Sequence, residues 1–111
     1  MDAHTVLHLA HVLVLGPLLV ALGLGYSLGA PRVAIAAVGA FILLYHAYKT
    51  WAKLAAGQNP WVNVVHVLIV GPALLAHGLL EPPARWTREV LLMLGIAAVG
   101  YHGYYLLPHA S

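Results

Sequence analysis

Residues His11–Pro17 read HVLVLGP and residues His66–Pro72 read HVLIVGP, identical at five of seven positions. Both copies lie inside long apolar runs. A second echo has nearly the same offset: Tyr45-His46-Ala47-Tyr48 returns as Tyr101-His102-Gly103-Tyr104. Self-similarity at a fixed period is the mark of a repeat, here of roughly 55 residues. The chain therefore reads as one integral membrane domain, residues 1–111, with repeat 1 at about residues 1–56 and repeat 2 at about 57–111. Each copy carries two histidines deep in apolar surroundings.

Of the 111 residues, 62% are hydrophobic and 7% charged. A soluble domain is about 25% charged, so this chain cannot clothe a water-facing surface, and a lipid bilayer is its expected partner. A membrane span takes about 20 apolar residues, and four such runs are present. In lipid the backbone must satisfy its own polar groups, as helices or barrel strands. The runs are too long for barrel strands and do not alternate, so helices are expected. The start, Met1-Asp2-Ala3-His4, lacks the basic flank of a signal peptide, and the first run is read as a retained helix. With no cysteine, thiolate sites and disulfides are excluded. The basic residues are scattered, which argues against nucleic acid as a partner.

Glycine, proline and serine punctuate the runs into helices at about 3–26, 31–53, 60–80 and 84–107. Gly23 to Pro31, Ala56 to Pro60 and Glu81-Pro82-Pro83 form the turns, and Pro108 to Ser111 is a short tail. Tyr48, Lys49, Trp51 and Lys53, then Trp61, then Arg85, Trp86 and Arg88 supply interfacial anchors. The fold class is all-α: a four-transmembrane-helix bundle built from two parallel helical-hairpin repeats, related by an axis along the membrane normal. Lys49 and Lys53 on one side against Arg32, Arg85 and Arg88 on the other set no orientation. Pro17 and Pro72 fall mid-helix. A proline there removes a hydrogen bond and clashes with the carbonyl four residues back, those of Leu13 and Leu68, so kinks are expected. Small residues on helices 2 and 4, among them Ala36, Gly39, Gly95 and Gly100, are expected to serve close helix packing and leave surface for a homo-oligomer.

His11, His46, His66 and His102 all fall about 6–9 Å from the midplane at a rise of about 1.5 Å per residue. Helix direction puts all four on the side of the termini, so one histidine layer is expected. His4, His8 and His11 share a face of helix 1, matched on helix 3 by Asn59, Asn63 and His66. His102, Tyr105 and His109 form a stripe on helix 4, and His46, Lys49 and Lys53 one on helix 2. Polar groups at membrane depth face a bundle interior or a wet cavity, so a vestibule on that side is inferred.

Three functions compete. Imidazole suits zinc, copper and iron, and His11, His46, His66 and His102 supply four nitrogen ligands. His8, Asn63, Tyr45, Tyr48, Tyr101, Tyr104 and Tyr105 would orient the rings. Alternatively, opposed histidines of helices 1 and 3, or of 2 and 4, would hold haem b, as in b-type membrane cytochromes. The second function is a proton or small-solute channel or transporter, since histidine titrates near neutrality. The third is a membrane scaffold in which the histidines only hydrogen-bond neighbouring helices. His77, matched by Leu22, is read as structural. No nucleophile elbow, phosphate loop or dinucleotide fingerprint is present, which points away from an enzyme. Asp2, Glu81 and Glu89 all lie near helix ends.

Pro60-Trp61-Val62-Asn63, His66 through Gly71-Pro72, Leu91-Leu92-Met93-Leu94-Gly95 and Gly100-Tyr101-His102-Gly103-Tyr104-Tyr105 together resemble small four-helix membrane proteins of large algal DNA viruses. The likeness spans most of the chain. Those proteins have no assigned function, so no residue role carries over. The resemblance implies a virion or host-membrane location and favours the scaffold role.

Overall fold

Asp2 opens the first helix by accepting the Thr5 N–H on its carboxylate at 2.7 Å, which satisfies one of the orphan donors of a helix start. The structure, a computed structural model, describes residues 2–29, 31–80 and 84–108. Four helices follow: α1, Ala3–Gly23; α2, Arg32–Ala55; α3, Trp61–Leu79; and α4, Arg85–Leu106. Each is long and apolar enough to cross a membrane. The described residues contain no strand. The proposed connector Glu81-Pro82-Pro83, the last residue of the polar stripe on helix 4 (His109) and the end of the tail lie outside the described residues.

Sequence explains the helix ends. α1 and α2 close in the same way. Tyr26 N–H reaches back to Ala21 O and Gly25 N–H to Leu22 O; Gln58 N–H reaches Lys53 O and Gly57 N–H reaches Leu54 O. This is the Schellman arrangement, which needs a left-handed residue just past the helix. Gly25 at φ 99° and Gly57 at φ 71° supply it. Pro31 and Pro60 stand immediately before α2 and α3 as N-caps, one step outside the helices rather than within them.

The mid-helix prolines act otherwise than a simple kink with one missing bond. α1 widens into a π turn at His11–Leu15 and α3 into another at His66–Val70. Gly16 N–H bonds to His11 O, and Gly71 N–H to His66 O. The wider turn sets the residues before each proline into a five-residue hydrogen-bond register, instead of forcing the ring against the carbonyl four residues back. Each π turn starts on a histidine of the repeated motif.

The chain divides into two compact units: Met1–Leu28 with Arg88–Ser111, and Gly29–Thr87. The first holds α1 and most of α4, the second α2 and α3 with the first turn of α4. Glycines set the crossing in each. A Cβ on Gly95 would lie 2.8 Å from Gly16 O and 2.7 Å from Val20 N. A Cβ on Gly39 would lie 2.9 Å from Gly71 O and 2.5 Å from Leu75 N. Backbones this close gain dispersion contact that larger side chains would deny them. The expected packing role of small residues is thus met by Gly39, Gly95 and the buried Ala36, whereas Gly100 has open space beside it.

Candidate functional site

In the first unit α1 brings His8 and His11 against His102 of α4. The His11 and His102 rings stack, with centroids 4.0 Å apart and planes at 26°. In the second unit His66 of α3 stacks on His46 of α2 at 4.1 Å and 20°. The four sequence-predicted ligands are therefore brought together in pairs, α1 with α4 and α2 with α3.

The edges of the rings are held in matching ways. His11 Nδ1 donates to Leu7 O at 2.7 Å, and His66 Nδ1 donates to Val62 O at 2.7 Å. A carbonyl only accepts, so both rings carry hydrogen on Nδ1, and in the neutral tautomer the lone pair is on Nε2. His46 Nδ1 lies 2.7 Å from Asn63 Oδ1, with the same consequence. His102 Nδ1 lies 2.8 Å from His8 Nδ1, so one ring donates and the other accepts. His8 occupies the place in the first unit that Asn63 occupies in the second.

Matched positions differ in burial. His102 is 6% exposed and Asn63 5%, while His8, His11, His46 and His66 are half-buried. Of the expected orienting residues, Tyr45 and Tyr101 stand edge-on to the adjacent His46 and His102, at 5.2 and 5.1 Å. Tyr105 stacks on His8 at 5.5 Å. Tyr104 is edge-on to Tyr105, and Tyr48 is exposed. His4, His8, Tyr101 and Tyr105 line a shallow depression at the end of the first unit that carries the start of α1. Among the described residues no group of three or more histidine or acidic side chains is placed to hold a metal ion.

His77 is 6% exposed and its Nδ1 lies 3.0 Å from Thr87 Oγ. The Thr87 hydroxyl donates to Ala84 O at 2.7 Å, so it accepts from the ring. This polar link inside the second unit agrees with the structural reading of His77. Its partner Thr87, fully buried, belongs to no motif and was not singled out from sequence. Flanked by Trp86 and Arg88 in a polar first turn of α4, it carried no signal that set it apart.

Set against known protein families, curated proteins and solved structures, the chain matches none.

Proposed function

We propose that this chain is a multi-pass integral membrane protein that binds first-row transition-metal ions, one at each imidazole pair. The observation that carries the reading is the matched anchoring of the Nδ1 edges. A metal-ligating histidine nearly always donates its other nitrogen to a carbonyl or another acceptor, which fixes tautomer and ring orientation. Leu7 O, Val62 O and Asn63 Oδ1 hold three rings this way. Two stacked imidazoles 4.0–4.1 Å apart suit neighbouring positions on one ion. They leave no room for a porphyrin within a pair, which favours a bare ion over haem b there. Remaining positions on the ion would fall to water or other oxygen donors.

Duplication supports the same reading. Each unit holds one helix of each type: α1 and α3 carry the HVL motif, α2 and α4 the Tyr-His motif. His11 answers to His66, His102 to His46, Gly16 to Gly71 and Gly95 to Gly39. A duplicated helical hairpin explains why two units share one set of contacts.

Copper(II) stands highest in the affinity order for nitrogen sites and is the probe of choice. The full chain, purified in detergent micelles, loaded with copper(II) and dialysed, is expected to retain two ions. His46→Leu and His66→Leu should each remove one. Retention of none, or no loss in these variants, would overturn the reading.

The hydrogen-bonded pair His8–His102, which lies within a candidate span, favours a second reading: proton conduction. It predicts proton flux into liposomes that His102→Leu abolishes and that does not depend on copper.

A further inference from the structure

His4 and His8 lie one helical turn apart on α1, spaced so that their side chains are neighbours on one face. The depression they line with Tyr101 and Tyr105 adjoins the inner pair at His102, which Tyr101 meets edge-on and His8 meets through Nδ1 to Nδ1 at 2.8 Å. His8 thus faces two ways, toward His4 in the depression and toward His102 inside the unit.

We infer that His4 and His8 form an outer capture site for a divalent transition-metal ion, and that the shared His8–His102 hydrogen makes this site and the inner His11–His102 site mutually exclusive. The inference rests on the metal-binding reading above.

Hydrogen counting carries it. Two neutral imidazoles hold two N–H hydrogens between them. One lies in the Nδ1···Nδ1 bond. The other must sit on one of the two Nε2 atoms. Only one of the two rings can therefore offer an Nε2 lone pair to a metal. With an ion on His8, the His8 Nδ1–H donates to His102, and His102 keeps its hydrogen on Nε2. When the ion moves to His102, the bond reverses: His102 Nδ1–H donates to His8, and His8 gains the Nε2 hydrogen that His102 gives up. No proton is gained or lost overall. The outer site fills from water and empties inward, and the filled inner site closes the outer one. In the second unit Asn63 stands where His8 would be, and an amide oxygen can only accept from His46, so no such exchange exists there.

The test uses the full chain in detergent micelles at neutral pH with copper(II) alone, retention being read by elemental analysis. The wild-type chain should hold two ions, not three. His11→Leu breaks the inner pair but keeps the His8–His102 bond, and His102→Asn removes the inner ligand. Both should still hold two ions, because the outer site is released, and adding His4→Leu to either should reduce the count to one. His4→Leu alone should keep two ions but load the first unit more slowly, by about tenfold or more. Helical circular dichroism checks that each variant folds. Three ions on the wild-type chain would overturn the exclusion. A count of one in both His11→Leu and His102→Asn would overturn the outer site, as would counts there that ignore His4→Leu. In all these cases the His46 and His66 results would still uphold the metal reading. No copper on the wild-type chain would overturn that reading, and this inference with it.

Discussion

Asn63 and Thr87 show what one buried polar atom does in this chain. Asn63 gives its side-chain oxygen to His46 at 2.7 Å from a site only 5% exposed. Replacing it with leucine takes the Asn63 acceptor from the half-buried His46 N–H, and removing one partner of a hydrogen bond shielded from water costs about 1–3 kcal/mol. Asn63→Leu should lower thermal stability by that amount in detergent, whereas Asn63→His, the residue used at the equivalent place in the first unit, should lose less than half as much. Thr87→Val is nearly isosteric but strips the hydroxyl that accepts from His77, and an unfolding titration should show a similar loss of about 1–3 kcal/mol. The four histidines were legible in sequence because each recurs at the repeat offset, and Asn63 because it matches His8 on the corresponding polar face. Thr87 was not, because its role depends on a chain reversal that places α4 beside His77, and no periodicity encodes that.

At the scale of the element, composition made the helices readable almost to their ends, since glycine, proline and interfacial aromatic residues mark every boundary. The π turns were hidden. Proline announces that a regular turn must fail, but whether the chain bends, loses a bond or widens depends on what the flanking faces pack against. Here the faces are fixed by histidine contacts before the turn and glycine contacts after it. Gly95→Val should force α1 and α4 apart, because its Cβ would meet backbone atoms at 2.7 and 2.8 Å; overpacking of this kind costs about 1–3 kcal/mol. Gly100→Ala, with nothing within 4 Å, should instead stabilise α4 by up to about 1 kcal/mol through helix propensity. Denaturation of the two variants side by side checks the contrast. At the start of α1 the Thr5 backbone N–H, and after it the Thr5 side-chain hydroxyl, hold the Asp2 carboxyl below its ordinary value of 3.8. A folded-state value below the unfolded one means that the cap stabilises above pH 3.8 and is lost as pH falls through the lowered value. The protection of the Thr5 amide, its exchange slowed relative to an unstructured peptide at the same pH, should therefore fall away as pH drops below 3.8, and Asp2→Ala should lack that protection even at neutral pH.

For the molecule as a whole, the low charge and four apolar runs set the class, while the assignment of helices to compact units was beyond the sequence. A hairpin repeat suggests α1 with α2 and α3 with α4, yet α1 is grouped with α4 and α2 with α3. Pairing of this kind depends on which faces carry glycine opposite glycine, and one chain's pattern allows several partners. The bilayer assignment has a direct test, because four spans fix which connections share a side. With no cysteine in the chain, single cysteines report without background. Ser27 lies between the first and second spans and Gln58 between the second and third. If all four helices cross, Ser27→Cys and Gln58→Cys must lie on opposite faces of the bilayer. In sealed vesicles holding chains of uniform orientation, a maleimide that cannot cross lipid should label one of them at once and the other only after the vesicles are opened with detergent. Immediate labelling of both would show that α2 does not span, and the four-span bundle would fail with it.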